Sequence, residues 1–411
     1  MSTPLPALVD RPSMRSGFLY TAGRLFAVGT KPAYLFAANN LLGAGTAAQL
    51  ATTFLFSSLM LIAVAAGPER LFYLRVFGAA RVNGLPFHLY VASTVLLIAA
   101  GFLVDATALL LTLQLPLLAC VGAVFFVSEK VADESLRWHL FQKDFAAWGG
   151  ASIARGALQL VSLALLYFVA GRTVSAVVLV SALAASNLVV FRRAVPRRWP
   201  APAAARSLLR RAIGSLLRNR RIWVIALLTA SVGYVDRFVI LFVEKARLPI
   251  FMLVVMCFSI TYMAIDFYYV SRHRRDFLER RITIGGVFRA SDFVGALAGG
   301  LVVSVSATVV TLLLSAGGRE FPLQYVVAIA LFQTCISLAI IPREIIYWGD
   351  RPQTVIKIEL AFWSAFVLAA GGAWLAAHSV GAILATAVVC GAIRLWLYVV
   401  AAAGRGVRAL P

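Results

Sequence analysis

The chain is short of charge, and shortest of all in acid. Only 13% of its 411 residues are charged, and 17 are Asp or Glu. Soluble domains carry roughly a quarter charged residues, so too few remain here to clothe a water-soluble core. Histidine is scarce and scattered. His88, His139, His273 and His378 stand too far apart for a metal-binding pair or a nucleophile elbow. Cys120, Cys257, Cys335 and Cys390 lie inside apolar runs without metal or redox spacing, which suits buried small hydrophobes. No glycine-rich loop ends in Lys-Ser or Lys-Thr, so there is no P-loop. Paired carboxylates suited to glycosyl chemistry are missing too. These absences point away from an enzyme and imply no cofactor and no metal.

What the chain has in abundance is apolar sequence: 61% hydrophobic residues and a mean hydropathy of +0.89. A bilayer satisfies such a composition, and within it every backbone polar group must be bonded inside the protein. A transmembrane barrel would alternate over segments of roughly ten residues, whereas these runs are long and continuous. The expected fold class is therefore an all-α polytopic membrane protein. A span needs about 20 apolar residues to cross about 30 Å of hydrocarbon. On that ruler the first half holds Leu19–Leu42, Leu50–Ala66, Phe87–Leu109, Leu115–Phe126, Ala157–Ala170 and Val174–Val190. The second half holds Ile222–Val243, Pro249–Val270, Phe293–Leu314, Leu323–Ile341, Ile358–Ala377 and Gly381–Ala403. That makes about twelve spans. The fourth and fifth are short, and their helices are expected to continue into the flanking sequence. Pro4, Pro6, Asp10 and Pro12 precede the first run, which is not the pattern of a cleavable signal peptide.

The net charge of +21 then becomes a statement about topology. With the N-terminus in the cytoplasm, the inner loops collect Arg70, Arg75 and Arg81, then Lys130, Arg137 and Lys143, then every basic residue from Arg192 to Arg221. Later inner loops hold Arg272, Arg274, Arg275, Arg280 and Arg281, then Arg343, Arg351 and Lys357, and finally Arg405 and Arg408. The other side receives Arg172, Lys245, Arg247 and Arg319. By the positive-inside rule both termini are expected in the cytoplasm. The excess of arginine over lysine, with abundant alanine, suggests a GC-rich bacterial genome and hence the bacterial inner membrane. Outer loops such as Gly43–Gln49, Gly171–Thr173, Glu244–Leu248 and Gly317–Pro322 are too short to hold a domain, so the work is expected within the helices.

Residues 192–221 divide the chain into an expected N-terminal six-helix lobe, 1–191, and a C-terminal one, 222–411. Pro196, Pro200 and Pro202 interrupt the first half of this connector. In the second half Leu209, Ile213, Leu216 and Leu217 recur at helical spacing, with Arg206, Arg210, Arg211 and Arg218 on the other side. That pattern suits an amphipathic helix on anionic inner-leaflet lipids, or a plain topological anchor. Tethered between spans, with only Trp199 available for stacking, it does not suit nucleic acid. Glu129–Trp148 reads as a solvated extension of the fourth span, with Leu136, Leu140, Phe145 and Trp148 on one face and an Asp133–Arg137 pair at i, i+4.

Charge inside apolar runs is the functional signal, because an ionisable group at membrane depth needs a partner or an aqueous cavity. Lys31 precedes Pro32 near the middle of the first span, with Arg24 one to two turns towards the cytoplasm. Asp236 and Arg237 fall in the seventh span, Asp266 near the inner end of the eighth, and Arg394 in the twelfth. Arg289 and Asp292, at i, i+3, read as a local ion pair at the entrance to the ninth. Asp236 and Arg237 are about 100° apart on a helix and cannot simply face each other. Lys31 and Arg237, the deepest cations in the first span of each half, point to a shared central cavity. Gly295, Gly299 and Gly300 give the ninth span a small-residue packing face.

The chain resembles the polysaccharide and lipid-linked oligosaccharide flippases of the multidrug/oligosaccharidyl-lipid/polysaccharide exporter superfamily. The resemblance rests on two helical halves joined by a basic linker, on Leu41-Leu42-Gly43 after the first helix, and on Asp236 within Val235-Asp236-Arg237-Phe238. Two departures stand beside it: Gly43 is followed by Ala-Gly-Thr-Ala, and Phe251-Met252 opens the eighth span where glycine-tyrosine is common. The resemblance implies a flippase that works by alternating access on a lipid-linked saccharide. Lys31, Arg237, Arg24 and Arg394 would then meet its anionic head group, and Asp236 or Asp266 would carry a coupling ion. Other readings are an exporter of small amphiphilic solutes and a non-transporting scaffold for polysaccharide-assembly proteins.

Overall fold

The computed structural model describes residues 14–76, 87–141, 144–191, 202–270, 273, 276–277, 281–348 and 352–403. Among them there are helices and turns and no strand. In the first half these are α1 (Met14–Ala37), α2 (Ala44–Val76), α3 (Phe87–Leu113), α4 (Pro116–Phe141), α5 (Phe145–Ala170) and α6 (Ala176–Ser186). After α7 (Pro202–Arg218) come α8 (Arg220–Val232), α9 (Val235–Val243), α10 (Leu248–Ile265) and α11 (Ser291–Leu314). α12 (Leu323–Trp348), α13 (Pro352–Ala377) and α14 (Val380–Ala403) complete the set.

Each of the twelve expected spans falls on a helix, and α4 and α5 outrun their apolar cores as expected. Eight helices among the described residues are long and apolar enough to cross a membrane, or nine if the bent pair α8–α9 is one span. The exceptions have local causes. α1 is diluted by Arg24, Thr30 and Lys31. α4 is apolar only over its first half and then carries Glu129, Lys130, Asp133 and Glu134. α6 is interrupted at Asn187 before the four-residue helix Leu188–Phe191. Large apolar side chains face outward, as Phe168 and Val169 do at 83% and 85% exposure. In water that surface would aggregate; in hydrocarbon it is the solvent-compatible one. The chain is a multi-pass membrane protein.

The turns follow from local chemistry. Gly43 takes φ 107°, a conformation that glycine adopts without a Cβ penalty, and so reverses the chain between the π-helical turn Ala38–Leu42 and α2. The Leu-Leu-Gly step is therefore a hinge residue supplied by sequence. Ser175 caps α6 by accepting the Val178 N–H.

By their contacts the described residues group into two compact units, one drawn from Met1–Val76 and Gly84–Ser215, the other from Leu216–Pro411. In the first, α1 and α5 meet through small residues: a Cβ on Gly23 would come within 2.8 Å of the Gly149 carbonyl oxygen, and one on Gly156 within 3.1 Å of Phe26. Between α4, α5 and the segment after α6, Ala132, Leu136, Trp148 and Val190 form a buried cluster, so Leu136 and Trp148 pack inward instead of lining a solvated face. In the second unit, α11 lies on α10 through Ala296, Gly300, Ser304 and Thr308, all buried at i, i+4 spacing. The Ser304 and Thr261 hydroxyls bond at 2.9 Å. Of the three glycines expected to form that face only Gly300 does, and a Cβ on Gly295 or Gly299 would meet nothing within 4 Å.

Candidate functional site

The charges in the apolar helices are gathered into networks, one set in each unit. In the first unit α1 brings Lys31, α4 brings Glu129 and Asp133 on one face, and α5 brings Arg155. The Lys31 ammonium lies 2.7 Å from Glu129 Oε1, and Arg155 Nη2 lies 3.5 Å from the same oxygen. Arg155 Nη1 reaches Asp133 Oδ1 at 3.3 Å. Lys31 also donates to Ser58 Oγ at 3.3 Å and stands over the rings of Phe54 and Phe125, 5.9 and 5.7 Å from their centroids. One residue on, Lys130 and Tyr90 converge on Glu134, with Arg137 at 3.8 Å. Asp133 therefore pairs with Arg155, and Arg137 with Glu134. Below the Tyr34 hydroxyl, which donates to the Gln159 carbonyl at 2.8 Å, a neutral chain runs from Gln159 through Asn187 to Ser128. It occupies the polar interruption in α6.

Asp105, fully buried on α3, takes one hydrogen bond, from Ser57 Oγ on α2 at 3.1 Å. Its other oxygen is buried without a hydrogen-bond partner among the described residues.

In the second unit the seventh span is broken. α8 and α9 meet at Gly233–Tyr234 with a bend of 52°, and Asp236 and Arg237 sit in the first turn after the break, both buried. They diverge, as adjacency on a helix requires. Asp236 Oδ2 accepts from Gln333 Nε2 of α12 at 3.0 Å, and Oδ1 accepts the Arg237 backbone N–H at 2.8 Å. The Arg237 side chain folds back over the Tyr234 ring, 4.3 Å from its centroid, and donates from Nη1 to the Gly233 carbonyl at 2.7 Å. A break frees backbone carbonyls, and at membrane depth they must find another donor; the guanidinium is that donor.

Arg394 is paired within this unit. Its Nη2 and Nε meet Glu359 Oε1 and Oε2 at 2.6 and 2.8 Å, with side-chain exposures of 2% and 0%. Tyr398 and Thr229 add hydroxyl bonds to Oε1 at 2.7 and 3.1 Å. Arg343, expected in an inner loop, lies inside α12 beside Glu344 at 3.2 Å. Asp266 opens the π-helical turn Asp266–Val270 at the end of α10. The side chains of Arg24 and Arg289 lie outside the described residues, as do the prolines Pro196 and Pro200 and the arginines from Arg192 to Arg198.

Glu129, Arg155, Asp105 and Glu359 are functional candidates that the sequence reading passed over. Asp105 and Glu359 are each the single acid of a long apolar helix, so the rule that singled out Asp236 applies equally to them. Glu129 and Arg155 sit at the edges of apolar runs, where charge is ordinary. Among the described residues no three His, Cys, Asp or Glu side chains come together as a metal site.

The fold and the buried charge define a class: an all-α, multi-pass membrane protein with ion networks held inside its helical units. No protein-family model matches the chain, and no curated protein matches its sequence. Its fold is similar to that of a solved structure, the inward-facing conformation of a multidrug resistance MATE family transporter of the MOP superfamily. The two share 11% identity and superpose with a TM-score of 0.50 over 96% of this chain and 95% of that one. MOP is the multidrug/oligosaccharidyl-lipid/polysaccharide exporter superfamily, the one the sequence resembles.

Proposed function

We propose that this protein is a transporter that moves a lipid-linked saccharide across the bacterial inner membrane by alternating access. The observation that carries the reading is the 52° break at Gly233–Tyr234, with Asp236 and Arg237 buried beside it. Discontinuous helices at membrane depth are where transporters commonly hold charged substrates and coupling ions. Arg237 and Lys31 are the head-group contacts, since a diphosphate in a low-dielectric site requires fixed positive charge. Asp236 is the coupling-ion candidate of the broken span, and Asp266 a second one. Arg394 is committed to Glu359, so its contribution is to hold α13 to α14. Both termini are placed in the cytoplasm by the positive-inside rule. Leu209, Ile213 and Leu217 of α7, each more than 40% exposed, and the exposed Arg206, Arg210, Arg211 and Arg218 support contact with anionic inner-leaflet lipid.

The test replaces Lys31 and Arg237 singly with Gln and measures membrane abundance together with surface polysaccharide. Each variant loses a buried contact, so export is read per molecule in the membrane and is expected to fall; normal export per molecule by both removes the assignment. A second reading, export of small amphiphilic solutes, is favoured by the fold neighbour's being a multidrug transporter. Proteoliposomes separate the two: the first reading requires movement of glycan lipid, the second movement of drugs. A scaffold for polysaccharide-assembly proteins would move neither.

A further inference from the structure

Glu129 and Glu359 are both buried and paired with cations, and their carboxylates are satisfied very differently. Glu359 spends both carboxylate oxygens on four donors: two from Arg394 and one each from Tyr398 and Thr229. The carboxylate of that pair is saturated, while Arg394 Nη1 is buried without a hydrogen-bond partner among the described residues. Glu129 places both of its cations on one oxygen, Lys31 at 2.7 Å and Arg155 at 3.5 Å, while Oε2 is buried with no hydrogen-bond partner among the described residues. A carboxylate offers about four lone-pair sites, and a purely structural pair gains by filling them. Access differs as well: the Lys31 side chain is 20% exposed against 2% for Arg394.

Lys31 and Arg155 reach this oxygen from different helices, α1 and α5, and so do not depend on the glutamate for their proximity. Their geometry suits a phosphate group at least as well. An ammonium and a guanidinium fork can each take an oxygen of a tetrahedral anion, whereas Glu129 brings only one oxygen to both. With no anion present, two neighbouring cations at this depth would repel each other and lack hydration. Glu129, which lies against both cations, and Asp133, which holds Arg155 Nη1 at 3.3 Å, together remove that cost.

We propose that Lys31 and Arg155 form a binding site for a phosphate-class anion, with the Glu129 carboxylate as its resident occupant, so that ligand enters by displacing Glu129. The proposal rests on reading Lys31 as a head-group contact and adds Arg155 as a second contact and Glu129 as the competitor. Glu129 then limits affinity and favours release: a site that must give up an internal partner binds less tightly than a vacant one and empties more readily.

The experiment uses the full-length protein in nanodiscs, with inorganic pyrophosphate as one probe and a polyprenyl diphosphate as the other, followed by calorimetry or thermal shift. Glu129→Gln keeps the side chain's size and removes its charge, and is expected to bind at least about tenfold tighter than the unchanged protein. Adding Arg155→Gln to it should abolish the gain. Glu129→Asp, which keeps the charge but draws the carboxylate back, should tighten binding to a lesser degree and serves if the Gln variant does not fold. Tightening for either probe sustains the proposal, and the probe that tightens more identifies a free or a lipid-borne phosphate as the source. Unchanged or weaker binding of both probes by the folded variants overturns it. If export fails in Lys31→Gln while Glu129→Gln gains no affinity, the transport reading stands and the competitor is lost. If Lys31→Gln and Arg237→Gln export normally while Glu129→Gln binds pyrophosphate more tightly, the anion site stands and the transport reading is lost.

Discussion

Breaking the Arg394–Glu359 pair should be the most damaging single change in the second unit, and removing both partners together should be milder, costing what the buried Tyr398 hydroxyl loses with its acceptor, about 1–3 kcal/mol. Arg394→Met leaves Glu359, at 0% exposure, with hydroxyl bonds from Tyr398 and Thr229 and without its two guanidinium bonds of 2.6 and 2.8 Å. Removing one member of a buried ion pair costs about 3–5 kcal/mol, because the other charge stays behind without compensation. Whole domains are stable by only about 5–15 kcal/mol, so the variant should lose most of its folded yield on mild heating. The double variant Arg394→Met/Glu359→Met buries neither charge, and such replacements are commonly neutral or stabilising. Both forms would be purified in detergent and compared by thermal unfolding on size-exclusion chromatography. The expected order is the double variant a little below the unchanged protein, for the acceptor Tyr398 loses, and both singles well below it. A single Arg394→Met variant that melts with the unchanged protein would refute the reasoning, since the pair would then carry no desolvation debt. The same cycle bears on function: if Arg394 only holds helices together, the stable double variant retains export.

Helix packing gives a second outcome. A methyl group on Gly300 would stand 2.9 Å from the Thr261 Cα and 3.2 Å from the Ala264 Cβ, so Gly300→Ala should cost about 1–3 kcal/mol through overpacking. Gly295→Ala and Gly299→Ala, which meet nothing within 4 Å, should be neutral or gain up to about 1 kcal/mol of helix propensity. Thermal melts of the three variants make the comparison. At Asp105, asparagine keeps the side chain's shape and the bond from Ser57 without placing a charge at depth, so Asp105→Asn should stay within about 1 kcal/mol of the unchanged protein. Ser57→Ala, which strips the buried carboxyl of its hydrogen bond at 3.1 Å, should cost about 1–3 kcal/mol in the same assay.

The sequence was most informative where membrane physics acts on the local chain. Apolar runs marked the helices, and Leu41-Leu42-Gly43 marked a turn whose glycine takes φ 107°. It was least informative about partners, because these come from distant segments. Lys31 could be recognised as a deep cation from its own span, but its glutamate lies on the third helix after its own, in a stretch that reads as cytoplasmic. Arg394 looked available for substrate because Glu359, at the start of another apolar run, was not weighed beside it. The ninth-span packing face was misread for a geometric reason. Gly299 and Gly300 are neighbours in sequence and therefore point about 100° apart, so only one of them could belong to the stripe with Ala296, Ser304 and Thr308.

The glycine contact between α1 and α5 bears on more than packing. Gly23 lies eight residues before Lys31, and Gly149 six before Arg155, so the point where the two backbones nearly touch is about two turns from both cations. The contact acts as the rivet of a pair of tongs. A second close approach, Gly156 on Phe26 and Thr30, lies beside the cations themselves, so the two contacts together set the gap between the positive tips through the backbones that carry them. A methyl group at Gly23 would have to open that rivet against the Gly149 carbonyl, 2.8 Å away. It would spread the tips without altering either charge. At the proposed anion site the spacing of Lys31 and Arg155 is therefore set partly by two residues that have no side chain to offer a ligand.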